Sequence, residues 1–198
     1  MNVLETVNQS VFLALNAQPG TPDIFLTLAR FCASGTIFIV PVILLALWFL
    51  GGREGHRQAL FCTLNILIAL ALGYLCGSLW FHPRPFMMPL GHTWISHPAD
   101  NGFPSDHGLV MFSAAFALLT LRLRGLGLFV LLASLPVAWS RIFLGVHFPL
   151  DMVGAAAVAA AAVWVNKGVW QVCGPAMVRM CEAISQRMFC WLPARFTP

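Results

Sequence analysis

The chain has 198 residues, of which 59% are hydrophobic and only 9% are charged, whereas a soluble domain carries about 25% charged residues. Polar residues are therefore too few to cover a water-facing surface, and the composition argues against a soluble globular domain. The net charge of +4 is scattered and forms no basic stripe with interleaved aromatic residues, which argues against a nucleic-acid partner. The length fits one compact domain, which we expect to occupy residues 1–198.

The pattern of an amphipathic helix occupies residues 3–16. Val3, Val7 and Leu15 recur at roughly helical spacing, and Glu5 lies on the opposite side. The stretch has no basic region of the kind that begins a signal peptide, so we expect the first long apolar segment to insert without cleavage. The helix is expected either to lie on the membrane surface or to pack against the rest of the protein.

Five apolar stretches follow that suit a bilayer core, which requires about 20 apolar residues per helix. They are residues 31–50 (or 24–50), 59–80, 107–121, 125–140 and 148–165, of which the third is short. Pro41 lies inside the first stretch, where neighbouring helices can tolerate a kink. The fifth has a small-residue face that would allow close helix packing. The sequence therefore predicts an all-α integral-membrane helical bundle with about five transmembrane helices.

A second amphipathic pattern occupies residues 177–192. Met177 and Ile184 belong to its apolar stripe, and Arg179 and Glu182 take the other face. We expect a C-terminal helix here that lies on the membrane surface or packs against the bundle.

The basic residues predict the orientation of the bundle. With five spans, eight of the eleven Lys and Arg residues fall on one side of the membrane, which should be the cytoplasm. These eight are Arg53, Arg57, Arg122, Arg124, Lys167, Arg179, Arg187 and Arg195. The opposite side keeps Arg30, Arg84 and Arg141, so the N-terminus is expected outside and the C-terminus inside. This outer side also holds most of the histidines.

The clearest chemical pattern on the outer side is the run Ser140-Arg141-x5-His147-x3-Asp151. If a helix begins near residue 148, His147 and Asp151 can lie on one face. Asp151 could then accept the proton of one imidazole nitrogen and leave the other free to attack an electrophile. Arg141 offers a planar fork for phosphate oxygens, and Ser140 can donate one further hydrogen bond.

Two further outer segments add groups that suit a phosphate ester. Ser105, in Phe-Pro-Ser-Asp-His, is an expected N-cap of the third span, which would present free backbone amides to an anion. His107, in the first turn, is a natural general acid for a leaving oxygen. Arg84 is a second phosphate fork. Each residue alone also has an ordinary interpretation as a membrane anchor or helix start, so the joint pattern carries the prediction.

These three segments resemble the motifs of the type 2 phosphatidic acid phosphatase superfamily, K-x6-R-P, P-S-G-H and S-R-x5-H-x3-D. The third motif matches at all four positions, and the second differs only at Asp106, which replaces Gly. The first matches at Arg84-Pro85, but Gly77 takes the place of the lysine. The motifs span residues 77–151. The P-S-D-H form, with Arg-Pro-Phe upstream, is similar to the branch of bacitracin-resistance-type undecaprenyl pyrophosphate phosphatases.

This resemblance implies that undecaprenyl diphosphate, the carrier lipid of cell-wall synthesis, is dephosphorylated at the periplasmic face of a bacterial inner membrane. It also implies attack by His147 on the terminal phosphorus, a phosphohistidine intermediate, and protonation of the departing lipid phosphate by His107. No metal and no cofactor are expected. The implied catalytic residues are His147, His107 and Asp151, and the implied phosphate-binding residues are Arg84, Ser105, Asp106, Ser140 and Arg141.

Several alternatives remain open at this point. The same active-site residues would serve phosphatidylglycerol phosphate, phosphatidic acid or a lipid A phosphate, and a phosphotransferase is also conceivable. A transporter or proton-relay protein would need ionisable residues near the middle of the membrane, where the spans contain almost none. The oligomeric state is not indicated by the sequence.

The remaining polar residues of the outer loop receive no firm role. His82 and His97 are expected either to contact the diphosphate or to be polar residues of an exposed loop. For His92 we favour the exposed loop residue. Asp106 would place a negative charge beside an anion, so we expect its side chain to point away or to be paired. The six cysteines have no metal-binding spacing and are interpreted as apolar residues without disulfides.

Overall fold

The structure, a computed structural model, describes residues 3–188. Seven α-helices account for most of this range, and no strand longer than an isolated bridge occurs in it. The helices are α1 (Val3–Leu15), α2 (Asp23–Ser34), α3 (Ile39–Leu50), α4 (Gly52–Leu79), α5 (Asp106–Thr120), α6 (Arg124–Phe143) and α7 (Pro149–Met188). The predicted all-α fold is confirmed.

Within residues 3–188, four helical units are long and apolar enough to cross a membrane: Asp23–Leu50, Gly52–Leu79, Arg124–Phe143 and Pro149–Ser185. In the first, a single turn of 3₁₀ helix joins α2 to α3, so this span begins eight residues earlier than position 31. The fifth predicted span is α5, whose 15 residues extend only about 22 Å. It is short because it lies inside the bundle between α4, α6 and α7, where most of its side chains are buried.

The small-residue face of α7 packs as the sequence predicts. Ala155, Ala159 and Ala162 are fully buried, and they contact a cluster that contains Ala69 of α4 and Leu109 of α5. Small side chains let helix backbones approach closely, which maximises van der Waals contact where lipid removes the hydrophobic driving force. This packing holds the end of α4 close to the starts of α5 and α7. We call this end of the bundle the outer end, because the basic residues predict that it faces away from the cytoplasm.

Helix α1 packs against the bundle, which is one of the two arrangements that its amphipathic pattern allowed. Phe12 is fully buried and meets the ring of Phe148 edge-on at a centroid distance of 5.2 Å. The buried Asn8 side chain accepts a hydrogen bond from the backbone N–H of Leu150 at 3.0 Å. Helix α1 is therefore fixed to the first turn of α7.

The C-terminal helix expected at residues 177–192 is not a separate element, which corrects the prediction. Helix α7 continues through Pro175 to Met188, and residues 189–192 lie outside the described range. A proline removes one helical hydrogen bond and often kinks a helix without ending it. Here the extension is held against the start of α4, because Glu182 lies 3.5 Å from His56 and 3.6 Å from Arg53.

Candidate active site

The three polar segments meet where the outer ends of α4, α5, α6 and α7 converge. Arg84 follows α4, Ser105 precedes α5, and His147 lies in the short connection between α6 and α7. Direct contacts join them, since Arg84 touches His147 and the backbone N–H of Ser105 donates to the Asp151 carbonyl oxygen at 3.3 Å. Sequence segments separated by 21 to 63 residues therefore form one buried polar cluster.

A tight turn between α6 and α7 brings His147 into the cluster. Gly145 has a φ of +83°, a backbone conformation that L side chains rarely adopt, and a Cβ there would collide with the His92 carbonyl oxygen. The chain then reverses, and the N–H of Val146 donates to the Arg141 carbonyl oxygen at 3.1 Å. Pro149 begins α7, as expected from its fixed φ.

The hydrogen bonds of His147 fix its tautomer. Oδ2 of the Asp151 carboxylate lies 3.2 Å from Nδ1 and can only accept, so the proton of the neutral ring is on Nδ1. Nε2 therefore carries the lone pair. Nη1 of Arg84 lies 2.9 Å from Nε2 and 3.5 Å from Nδ1, so the guanidinium packs against the ring beside Nε2. The predicted His147–Asp151 contact is present.

The neutral form of His147 is the stable one at neutral pH. The residue is 1% exposed, and this burial lowers the pKa to about 4, although the hydrogen bond that Nδ1–H donates to Asp151 acts in the opposite direction. A protonated imidazole has no lone pair on Nε2, so the low pKa keeps the ring in the form that can act as a nucleophile.

Asp151 is fully buried and accepts three hydrogen bonds. Its Oδ2 receives the N–H of Phe148 at 2.8 Å as well as Nδ1–H of His147, and its Oδ1 lies 3.1 Å from Nδ1 of His82. The contact with Phe148 is that of an acidic side chain capping the start of its own helix. The carboxylate is thus held at both oxygens.

Arg84 is anchored at all three of its nitrogen atoms. Its Nε donates to Oδ1 of Asp100 at 2.7 Å, and Nη2 donates to the Asn101 carbonyl oxygen at 3.2 Å. Besides contacting His147, Nη1 donates to the Val146 carbonyl oxygen at 3.0 Å. The guanidinium is consequently held beside Nε2 with little freedom to move.

Arg141 lies near Arg84 but makes far fewer hydrogen bonds. Its side chain is 4% exposed, yet Nε and Nη2 have no hydrogen-bond partner among residues 3–188. It lies within electrostatic reach of Arg84 and of Asp106. A buried guanidinium with unpaired N–H groups is costly unless it meets an anion, so two neighbouring arginines make this region suited to a phosphate group.

The two serines are buried, and their hydroxyl groups already have backbone contacts. Oγ of Ser105 accepts the N–H of Gly108 at 3.4 Å, which confirms the predicted N-cap of α5. Oγ of Ser140 donates to the Val137 carbonyl oxygen at 2.7 Å, one turn earlier in α6. Phosphate contacts from these hydroxyl groups remain predictions.

The structure brings the remaining predicted residues to the rim of the cluster. His107 is half-buried and lies within electrostatic reach of Arg141, His147 and His97. Asp106 is exposed and lines a cavity of about 330 Å³ together with Arg84. No ion pair of Asp106 occurs within the described part of the chain. No three His, Cys, Asp or Glu side chains between residues 3 and 188 are grouped so that they could hold a metal ion.

A comparison with protein families identifies the family of the chain. The model of the PAP2 superfamily matches residues 58–173, which include all three segments. The chain belongs to the PAP2 superfamily. The predicted superfamily is therefore confirmed. The prediction of a multi-pass membrane protein of a phosphatase family is confirmed as well.

Curated PAP2 relatives and a solved structure support this assignment. An Escherichia coli (strain K12) protein with the provisional name undecaprenyl-diphosphatase YbjG is 33% identical over 172 residues, 87% of each chain. Undecaprenyl-diphosphatase BcrC of Bacillus subtilis (strain 168) is 31% identical over 77% of this chain and 79% of its own. The crystal structure of Aquifex aeolicus LpxE superimposes with a TM-score of 0.62 and 22% identity, covering 82% of this chain and 95% of that one, and shows the shared fold.

Asn101, which the sequence analysis did not identify, lies beside Gly77, the position of the PAP2 lysine. Its Nδ2 donates to the carbonyl oxygens of Gly77 at 2.6 Å and Trp80 at 2.9 Å, and its Oδ1 accepts the N–H of His82 and Phe103. A Cβ at position 77 would lie 3.1 Å from Nδ2 of Asn101. Asn101 therefore caps α4 in the space where a larger side chain would begin.

The outer-loop residues Asp100 and His97 also belong to the PAP2 site. The Asp100 side chain is exposed; desolvation raises its pKa, but the hydrogen bond and the charge of Arg84, with smaller effects of His97 and the backbone, together lower it. The His97 ring lies 6.2 Å from that of His147, nearly perpendicular to it, and burial followed by the nearby arginines lowers the pKa of His97. The one indication of these contacts in the sequence is that both residues lie in the loop that follows Arg84. Loops have no periodic pattern from which such contacts could be predicted.

Proposed function

We propose that this chain hydrolyses undecaprenyl diphosphate to undecaprenyl phosphate, with Nε2 of His147 as the nucleophile. The observation that carries the proposal is the hydrogen-bond pattern of His147, which leaves the proton on Nδ1 and the lone pair on Nε2 beside Arg84. The names of the relatives from Escherichia coli and Bacillus subtilis support a polyprenyl diphosphate as the substrate.

In the first step, Nε2 of His147 forms a bond to the terminal phosphorus. The bond from that phosphorus to the bridging oxygen breaks, and His107 donates a proton to the departing lipid phosphate. Burial and the nearby arginines lower the pKa of His107 and favour its neutral form before the substrate binds, so this ring takes up its proton when the anionic diphosphate binds beside it. Arg84 exchanges its contact with Nε2 for one with a phosphate oxygen, because the attacking lone pair must be free. Arg141 binds further equatorial oxygens through its unpaired N–H groups.

In the second step, water attacks the phosphohistidine and releases inorganic phosphate. His107, which is neutral after the first step, accepts the proton of this water. The bond between Nε2 and phosphorus breaks, and the electron pair returns to the ring. Asp151 keeps its hydrogen bond to Nδ1 throughout, so the ring returns to the same tautomer and orientation.

A cavity beside the cluster suggests how a lipid diphosphate reaches Arg84. It holds about 330 Å³ and lies between α4 and the outer loop, with Tyr74 and Gly77 on one wall and Phe103 on the other. Tyr74 is 82% exposed on the flank of α4, so the cavity borders the lipid side of the bundle. We infer that the diphosphate enters here while the polyprenyl chain stays in the bilayer.

The distribution of basic residues supports an active site on the periplasmic face of the inner membrane. The site lies at the outer ends of the helices, whereas Arg53 and Arg57 lie at the start of α4, and Arg122 and Arg124 lie at the start of α6 or just before it. Basic residues concentrate on the cytoplasmic side of bacterial membranes. The opposite end, with the polar cluster, then faces the periplasm.

Phosphate release by the purified protein tests this function. Undecaprenyl diphosphate, phosphatidylglycerol phosphate and phosphatidic acid should be compared at equal concentration in the same detergent, with His147→Ala as the inactive control. We expect fastest release from undecaprenyl diphosphate, activity in the presence of EDTA, and inhibition by vanadate, which mimics five-coordinate phosphorus. A clear preference for another lipid would reject the substrate, and a strict requirement for Mg²⁺ would reject the mechanism.

A further inference from the structure

A second histidine, His82, lies directly behind Asp151. Its Nδ1 is 3.1 Å from Oδ1 of Asp151, and its Nε2 is 3.5 Å from Oε2 of Glu5. The side chain is buried, with Trp80 and Phe148 against its ring. His82 is therefore separated from the phosphate side of the cluster, which argues against direct contact with the substrate.

The surroundings of His82 favour its charged form. Both ring nitrogens face carboxylates, and an imidazolium can donate to both, whereas a neutral ring can donate to only one. The hydrogen bond that His82 donates to Asp151 raises the pKa of His82, although burial acts in the opposite direction. The two histidines that contact Asp151 thus differ in charge, because His82 favours the protonated form and His147 is held neutral.

Glu5 is itself fixed on α1. Its Oε1 accepts Nε2–H of Gln9 at 3.0 Å, and its Oε2 accepts Nδ2–H of Asn8 at 3.4 Å. Asn8 in turn contacts the backbone of Leu150 in the first turn of α7. The N-terminal helix and the start of α7 are therefore connected both through the backbone and through the series Glu5, His82 and Asp151.

We propose that His82, held by Glu5, is a positioning residue that fixes the Asp151 carboxylate and thereby the orientation of the nucleophile. The proposal rests on the role of His147 in the proposed function. Oδ1 of Asp151 has His82 as its hydrogen-bond partner, and the whole carboxylate is buried. Without His82, this oxygen would be unpaired, and the carboxylate would rotate or shift and carry His147 with it.

Asn and Gln at position 82 separate positioning from mere packing. The amide nitrogen of Asn takes nearly the place of Nδ1, so His82→Asn keeps a donor for Asp151. The amide nitrogen of Gln takes nearly the place of Nε2, so His82→Gln directs its donor towards Glu5. His92→Gln is the matched control, because His92 is an exposed histidine of the same loop.

We expect His82→Gln to lower kcat by about 10- to 100-fold with little change in KM, because misplacing a reacting group by about 1 Å has effects of this size. The rate of phosphoenzyme formation in a single turnover should fall in parallel. His82→Asn should retain most of the wild-type kcat, and His92→Gln should match the wild type. Unfolding temperatures in detergent show whether each variant is folded.

Two results would overturn the positioning role. One is a wild-type kcat for His82→Gln, and the other is an equal loss of kcat in the Asn and Gln variants. An inactive wild-type protein would instead refute the proposed function, so the two failures are distinguishable. Glu5→Leu tests the contribution of α1: we expect a smaller loss of kcat than for His82→Gln, and an unchanged kcat would remove Glu5 from the proposal.

Discussion

The middle of the bundle and its outer end use opposite means to hold helices together. In the middle, α5 packs through apolar side chains, with a few polar groups such as Asn65, which donates to the Ser113 carbonyl oxygen at 2.9 Å. At the outer end, buried arginine, histidine and aspartate side chains lie in contact. Charged groups in such a place are costly and usually functional, so changes there should affect activity most, and changes in the middle should affect stability most.

The largest effect is expected for Asp151→Asn. An amide cannot serve as the anionic acceptor for both His82 and His147, so the tautomer of His147 is no longer enforced. We expect kcat to fall by about 10³- to 10⁴-fold, as in other sites where an aspartate orients a catalytic histidine. Phosphate release and the unfolding temperature should be measured together. Near-normal turnover would show that Asp151 does not orient the nucleophile.

Arg141→Ala should have the next largest effect on activity. Its Nε and Nη2 lack partners among the described residues, so removing them leaves no other residue unpaired. We expect kcat/KM for undecaprenyl diphosphate to fall by roughly 10²- to 10³-fold, the loss typical of one transition-state donor. The unfolding temperature should stay constant or rise, because two neighbouring positive charges no longer repel. A folded variant with full activity would contradict phosphate binding by Arg141.

The matching change in the middle of the bundle is Leu118→Ala. Leu118 is 1% exposed and packs in the cluster between α5 and α6, so its truncation leaves a cavity. We expect a loss of about 2–5 kcal/mol in the free energy of unfolding. The kcat of the folded fraction should be unchanged, measured after size-exclusion chromatography. A large fall in kcat without loss of stability would remove the distinction between the two regions.

The protonation states of His147 and His82 at the outer end can be measured directly by NMR titration in detergent. Because the pKa of His147 is lowered to about 4, its ring should remain neutral as the pH falls below 6.5. The pKa of His82 is raised, so its ring should remain charged as the pH rises above 6.5. Labelled imidazole nitrogens report both states. The same protonation state for both rings at pH 6.5 would contradict the asymmetric environment of Asp151.

The smallest effect is expected for Asn65→Ala in the middle of the bundle. Its amide donates to a backbone carbonyl that is buried in the neighbouring helix. Hydrogen bonds between membrane helices contribute about 0.6–2 kcal/mol, so the loss of stability should lie in this range. The activity of the folded protein should not change. A stability loss as large as that of Leu118→Ala would mean that polar contacts contribute as much as apolar packing to the stability of the middle of the bundle.

The two regions differ as well in how far the sequence predicts them. Helical spans, the N-cap at Ser105 and the contact between His147 and Asp151 follow from local spacing and helix geometry. The contact of His82 with Asp151 joins residues 69 positions apart, and no periodic pattern in the loop indicates it. The continuous α7 was missed because Gly174-Pro175 lies between the apolar stretch 148–165 and the amphipathic pattern 177–192. The contacts with α4 that hold the end of α7 are tertiary and leave no local pattern in the sequence.

The most direct test of the central claim is to trap the phosphoenzyme with labelled undecaprenyl diphosphate and to identify the phosphorylated atom. Acid quenching would destroy phosphohistidine, so the adduct should be denatured at alkaline pH, digested and examined by mass spectrometry and ³¹P–¹⁵N NMR. The geometry predicts phosphate on Nε2 of His147 and none in His147→Ala. Phosphate on Nδ1, on His107 or on another residue would contradict the account.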